Sequence, residues 1–260
     1  MIKNNSLRGV PPHAPPEIID KNTIYVYDKM QFDPYALRNS GQVFRDFACK
    51  ITEEPDKFII TCDDGARFWD FFDLGTDYNE IKRELMRFAA LHEPIKHGGG
   101  IRIMRQPFIE CVISFIISAN NNIKRFSKTL AQIGDFTLAN LSRFTEEDFK
   151  NIGCGYRAPY LVKTIGQLSD PNFGFETLNT LANGDLCRAL VKLAGVGPKV
   201  ARCIMLFAFH RLDVAPVDTW IRRAIGQLGE CDASAILTHK YAGVAQQYIF
   251  YYLQHLKGAL

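Results

Sequence analysis

Between Thr23 and about Phe72 the apolar positions fall in short runs rich in β-branched and aromatic residues: Ile24 to Tyr27, Val43 to Phe47 and Lys57 to Thr61. Such runs predict antiparallel strands. Asp63-Asp64-Gly65 is turn chemistry and predicts a hairpin into a further strand over 66–70. The first twenty residues, with Pro11-Pro12 and Pro15-Pro16, predict an irregular arm. After Gly75 the period lengthens. Asp77 with Glu80 three residues on predicts a capped helix through Phe88, and His97-Gly98-Gly99-Gly100 breaks the chain. Helices are predicted beyond it over 107–118, 122–133, 145–151, 156–168, 175–182, 185–192, 198–209, 218–228 and 236–256. Strands first and helices after, without alternation, argue an α+β fold. Its expected form is an N-terminal antiparallel sheet domain with a capping helix (1–106) and a two-part helical body (107–150 with 236–260, and 151–235).

The most informative segment is Leu193-Ala-Gly-Val-Gly-Pro-Lys-Val-Ala-Arg-Cys203. One helix ends here. Gly195 and Gly197 are expected to supply positive φ in a tight turn, and Pro198 suits the first position of the next helix. Val200, Cys203, Ile204, Phe207 and Ala208 then repeat at helical spacing. The pattern is a helix–hairpin–helix, whose close-approaching backbone and helix N-terminus suit an anion such as a DNA phosphate. A dinucleotide loop is excluded because no strand precedes the glycines, and no Gly-Lys-Ser/Thr forms a Walker loop.

Two residues around the hairpin add candidate chemistry. Lys199 sits in the first turn of the second helix, where the dipole and partial desolvation would favour a neutral, nucleophilic amine. Asp218 follows the rigid return Val214-Ala-Pro-Val217 and is placed to cap a helix from Thr219. Alone, the lysine could equally contact phosphate and the aspartate could be an ordinary cap. Together they point to catalysis.

Composition narrows the classes. The chain has 260 residues, 47% hydrophobic and 23% charged, which suits a folded domain with a substantial core. No apolar stretch approaches the roughly eighteen residues of a membrane span. The N-terminus lacks a secretory core, so a cytoplasmic address is expected, at the nucleoid in a prokaryote. Seven scattered cysteines without Cys-x-x-Cys predict reduced thiols and neither a zinc site nor an iron–sulfur cluster. Net charge is only +3, but 95–130 holds six basic residues against Glu110, and 199–223 holds five against Asp213 and Asp218. That segregation permits a polyanionic partner without proving one.

With the hairpin, the lysine and the aspartate in place, the chain resembles the helix–hairpin–helix DNA glycosylases, and within them the 8-oxoguanine DNA glycosylases. Ser40-Gly-Gln-Val-Phe-Arg45, Arg105-Gln106 with Glu110-Cys111, Ser118-Ala-Asn-Asn-Asn-Ile-Lys-Arg125, Gly155-Tyr-Arg-Ala158 and Ala242-Gly-Val-Ala-Gln-Gln247 match that family's motifs in order. The resemblance implies a bifunctional glycosylase and lyase acting on 8-oxoguanine, opposite cytosine, in double-stranded DNA, as a monomer. No organic cofactor or metal is required, although a structural cation at the hairpin carbonyls is also implied. It assigns Lys199 as nucleophile and Asp218 as its supporting carboxylate. The Gly41 carbonyl would accept the N7 proton of the oxidised base, Cys203 and Phe250 would sandwich it, and Gln246 would read its Watson–Crick edge. Asn120 would fill the vacated stack; Arg125, Tyr156 and Arg157 would contact the opposite cytosine; Gly195 and Gly197 would approach phosphate. At Trp220 the animal members carry a histidine, so the phosphate contact there must differ. Independently of the family, Lys199 with Cys203 and Gln246 with Phe250 are each four apart, hence one helical face. An endonuclease III-like pyrimidine glycosylase and a non-catalytic helix–hairpin–helix DNA-binding protein remain the alternatives.

Overall fold

The structure, a computed structural model, describes residues 14–42, 45, 47–119, 123–217, 221 and 230–258, with backbone alone for 123–125, 230–232 and 256–258. Four antiparallel strands, β1 (Glu17–Asp20), β2 (Thr23–Val26), β3 (Cys49–Glu53) and β4 (Phe58–Cys62), form a sheet of order β1-β2-β4-β3. Ile24 pairs with Ile60 and Val26 with Phe58, so the apolar residues of β2 and β4 face one side. They are buried together with Phe32, Leu37, Phe47, Phe68, Phe72 and Met104 in one apolar cluster. The fold is α+β, as the patterning predicts.

The hairpin expected at Asp63-Asp64-Gly65 is instead a helix start. The Asp64 side chain accepts from the Arg67 amide at 3.2 Å and caps α2 (Gly65–Phe71). The aromatic run that reads as a strand is helical because Phe68 and Phe72, four apart, share one buried face. Two further differences follow from local contacts. The arm's end pairs with β2 as edge strand β1. A short helix α1 (Pro34–Asn39), capped by Asp33, precedes the loop that carries Gly41. Of the strand expected over 43–47, residues 43, 44 and 46 lie outside the described residues, and the strand begins at Cys49.

The helical body comprises α3 (Tyr78–Leu85), α4 (His92–His97), α5 (Phe108–Ser118), α6 (Ile123–Ile133), α7 (Leu138–Leu141), α8 (Glu146–Asn151), α9 (Ala158–Leu168), α10 (Phe175–Asn179), α11 (Asn183–Leu190), α12 (Pro198–Phe207), α13 (Glu230–Leu237) and α14 (Ala242–Gly258). The single helix expected over 236–256 is broken at 238–241. There His239 Nδ1 accepts from the Tyr241 amide at 3.2 Å, and Lys240 is anchored to Glu84 of α3 at 2.8 Å. The helix expected over 218–228 lies, apart from Ile221, outside the described residues.

Buried polar groups lock the sheet to the helices. Arg102, counted above among the cations available to a polyanion, is only 2% exposed. It donates to the carbonyls of Gln31, Phe72, Asp73 and Thr76, at 3.1, 3.0, 2.5 and 2.6 Å. Its charge is spent on backbone, not on a ligand. Next to it, Asp73 accepts from Tyr78 Oη at 3.1 Å and Thr76 Oγ1 at 2.9 Å, and pairs with Arg105 at 2.9 Å and His210 at 3.1 Å. Burial pushes the Asp73 carboxyl up, but His210, Arg105 and the Thr76 hydroxyl together outweigh it and hold it below the usual carboxylate range. A depressed carboxyl stabilises the fold above its unfolded pKa and loses that contribution as pH falls through its folded value. Asp73→Asn is therefore expected to lower stability by on the order of 2 kcal/mol at neutral pH. In thermal melts the gap to wild type should shrink below about pH 4; a gap unchanged down to acid would contradict the pairing.

Candidate active site

The second helix of the hairpin, α12, has Gly197 at its N-cap and Pro198 as its first residue, and its buried face carries Val200, Ala201, Cys203, Ile204 and Phe207. Gly195 holds φ +78°, and a β-carbon there would lie 2.9 Å from Tyr160 Cβ, so both conformation and space require glycine. Gly197 departs from expectation: its φ is −87°, and no atom of the described residues lies within 4 Å of where its side chain would be. It opens the helix N-terminus to solvent without left-handed backbone. The turn is braced from α9. Thr164 Oγ1 donates to the Ala194 carbonyl at 2.6 Å, and the Gln167 amide bridges the Ala194 N–H and the Lys192 carbonyl at 2.9 Å each. Among the described residues the carbonyls of Val191, Gly195 and Val196 accept no hydrogen bond.

Five sequence-predicted residues from three distant segments line one small cavity: Gly41 from the loop after α1, Lys199 and Cys203 from α12, and Gln246 and Phe250 from α14. Ser40, Phe115, Phe207, Pro216 and Gln247 complete its walls. The Lys199 ammonium is 6.0 Å from the centre of the Phe115 ring, which stacks on Phe207 at 5.5 Å. Lys199 itself is exposed, so the desolvation expected for it is not seen. Cys203 is 2% exposed and lies near Cys111, whose thiol is pushed far above its ordinary value by burial first and by Cys203 second. Gln246 is 5% exposed, and its side-chain oxygen is buried without a hydrogen-bond partner among the described residues. A buried, unpaired amide oxygen costs free energy that only an incoming donor recovers.

Gly41 adopts φ +72°, and a β-carbon there would meet Phe250 Cε1 at 2.9 Å. The Phe250 ring thus lies on the glycine. The cavity measures about 40 Å³. Space on that scale admits about one water, so anything larger enters only when a wall such as Phe250 withdraws. A larger groove of about 1100 Å³ lies at the other ends of α5 and α12, lined by Phe108, Phe175 and Phe209 and by Arg45, Arg67 and Arg105. Those arginines are paired with Glu110, Asp63 and Asp73 respectively.

This arrangement can be set beside known proteins. Residues 46–112 match the family model described as the N-terminal domain of 8-oxoguanine DNA glycosylase. The N-glycosylase/DNA lyase OGG1 of Arabidopsis thaliana is 36% identical over 197 residues, 67% of this chain but 53% of the plant protein, so the chain spans about half that relative's length. A protein of Methanothermobacter thermautotrophicus named as a probable N-glycosylase/DNA lyase is 30% identical over 237 residues, covering 75% of this chain and 71% of the archaeal one. The chain belongs to the 8-oxoguanine DNA glycosylase family. Its structure also superposes on the Clostridium acetobutylicum 8-oxoguanine glycosylase/lyase, solved in complex with double-stranded DNA containing cytosine opposite the lesion. That match has a TM-score of 0.82 and 30% identity and covers 92% of this chain and 97% of the other.

The remaining site residues of this glycosylase-family chain fall in different places. Tyr156 is 60% exposed, at a turn before α9. Arg157, expected at the opposite cytosine, is 7% exposed and turned inward. Its Nε donates to the Ala119 carbonyl at 2.9 Å, a second guanidinium nitrogen shares that oxygen, and the group stacks 4.3 Å over the Tyr156 ring. The structure thus holds its guanidinium on that carbonyl instead of presenting it at the surface. Arg125 lies in the first turn of α6. Asn120, Asp218 and Trp220 lie outside the described residues. Sequence reasoning missed Phe115, and Phe207, which read as part of an apolar packing face; it also missed Pro216, which read only as part of the rigid return, and Gln247, although it adjoins Gln246 in a quoted motif. Among the described residues six cysteines are free, no group of three or more metal-ligating side chains occurs, and no helix is long and apolar enough to cross a membrane.

Proposed function

We propose that this protein excises 8-oxoguanine opposite cytosine from double-stranded DNA and then nicks the strand. The observation that carries this reading is the cavity where a hairpin lysine meets Gly41, Cys203, Phe250 and the orphaned amide oxygen of Gln246. Hairpin amides and the α12 N-terminus hold phosphate, and the lesion nucleotide leaves the stack. The base displaces Phe250 from Gly41 and lies between that ring and Cys203. The Gly41 carbonyl accepts from N7–H, a donor that oxidised guanine has and guanine lacks; the unmodified base would set a lone pair against a buried acceptor. Gln246 Oε1 takes an N–H of the Watson–Crick edge.

Lys199 then attacks C1′ as a neutral amine. The C–N glycosidic bond breaks, its electron pair leaves with the base, and the amine sheds a proton. Asp218 stabilises the positive charge that develops on the sugar. Ring opening gives a Schiff base at C1′. Loss of a C2′ proton then expels the 3′ phosphate by β-elimination. All of this proceeds without an organic cofactor. The free carbonyls of Val191, Gly195 and Val196 suit a hard, oxygen-seeking cation, which would stiffen the hairpin; no chemical step needs it.

Nicking of matched duplexes tests the substrate. Preference for 8-oxoguanine opposite cytosine over thymine glycol opposite adenine supports the reading, and the reverse preference would overturn it. Asp218→Asn should slow the single-turnover rate by about 10²-fold while changing duplex affinity little. An unchanged rate would remove the aspartate from the chemistry.

A further inference from the structure

The Gly41 loop is held by a set of buried amides. Ser40 and Gln42 are fully buried, and Gln42 is fixed by its side chain, which donates to Ser40 Oγ at 3.0 Å and the Arg102 carbonyl at 2.8 Å and accepts from the Met104 amide at 2.9 Å. The peptide carbonyls on either side of Gly41 are each claimed from another part of the chain. Gln247 of α14 donates to the Ser40 carbonyl, and Gln106, from the segment before α5, donates to the Gln42 carbonyl at 2.5 Å. Gln247 and Gln106 are 3% and 7% exposed. The Gly41 carbonyl itself accepts no hydrogen bond among the described residues. Of three consecutive carbonyls, the outer two are tied down and the middle one is left for a ligand.

We infer that Gln247 and Gln106 are positioning residues that fix the direction of the Gly41 carbonyl and so set discrimination between the lesion and guanine. The inference rests on the proposed reading that this carbonyl accepts from the base. The physical reason is rotational. A glycine at φ +72° has little intrinsic preference between peptide orientations. Without the clamps, the peptide could turn its carbonyl aside whenever guanine presents a lone pair, and the penalty against guanine would be relieved. A flip of that one peptide would drive Gln42, whose side chain is fixed, to positive φ. With both neighbouring carbonyls bonded, the loop cannot turn as a whole without breaking a buried hydrogen bond, so the acceptor stays in place. Gln247 also adjoins Gln246 and is three residues from Phe250, so the helix that reads and covers the base also orients the acceptor.

The test compares Gln247→Leu and Gln106→Leu with wild type in two assays. In single-turnover kinetics, excision of 8-oxoguanine is compared with cleavage of a duplex carrying a preformed abasic site, which needs Lys199 but no base contact. Each variant should lower the ratio of the two rates about tenfold, the worth of one oriented hydrogen bond. In a Lys199→Gln background, the preference in dissociation constant for the lesion duplex over its guanine counterpart should narrow by a similar factor. Excision and abasic cleavage falling together would show a purely structural role and overturn the inference, as would ratios unchanged in both variants. A parent Lys199→Gln chain that binds lesion and guanine duplexes alike would instead remove the substrate reading, and the clamp with it.

Discussion

Replacing Lys199 with glutamine is expected to remove base release and strand cleavage together, to below about 10⁻³ of wild type in single turnover, while lesion binding remains measurable. Glutamine keeps a polar, flexible side chain only one atom shorter but has no basic amine to attack C1′ or to form an imine. Lys199 is exposed at the start of α12, so the substitution leaves the buried face of that helix untouched and melting should barely change. A variant that still releases base at near the wild-type rate would show that water is the nucleophile and that Lys199 only contacts phosphate.

Gly41→Ala should produce the second large effect, for two separable reasons. The backbone at φ +72° is left-handed, which costs a β-carbon roughly 1–2 kcal/mol. The new methyl would also lie 2.9 Å from Phe250 Cε1 and must drive the ring outward or turn the loop. Either response displaces the acceptor and one face of the sandwich. Excision of 8-oxoguanine should fall by about 10²-fold, with weaker discrimination against guanine. Cleavage of a preformed abasic site should fall far less, since that step bypasses the base. Equal loss on the two substrates would mean that Gly41 supports the fold alone.

The residues brought together at the cavity were legible in the sequence in pairs, not as a site. Lys199 with Cys203 and Gln246 with Phe250 follow from helical spacing, and the hairpin follows from Gly195 and Pro198, because these are local properties. What joins Gly41 to them is tertiary packing across some 160 to 210 residues of chain, and only the family resemblance supplied it beforehand. The clamping amides were invisible for a different reason. A glutamine reads as surface, and nothing about Gln106 or Gln247 in sequence announces that its donor meets a buried carbonyl. The same blindness affected charge, where Arg102 counts toward a basic segment yet lies 2% exposed among backbone oxygens. Local rules also misled at Asp63-Asp64-Gly65, since Asp-Gly serves a hairpin or a helix cap equally. The spacing of Phe68 and Phe72 decides between them only once the core is known.

The central claim is a covalent intermediate through Lys199 on an oxidised purine. Borohydride reduction during reaction with a duplex containing 8-oxoguanine opposite cytosine, followed by peptide mapping of the protein–DNA adduct, tests it most directly. The account predicts one adduct at Lys199, absent from an undamaged duplex and lost in Lys199→Gln. No adduct despite salt-sensitive binding, or an adduct at another lysine, would contradict it.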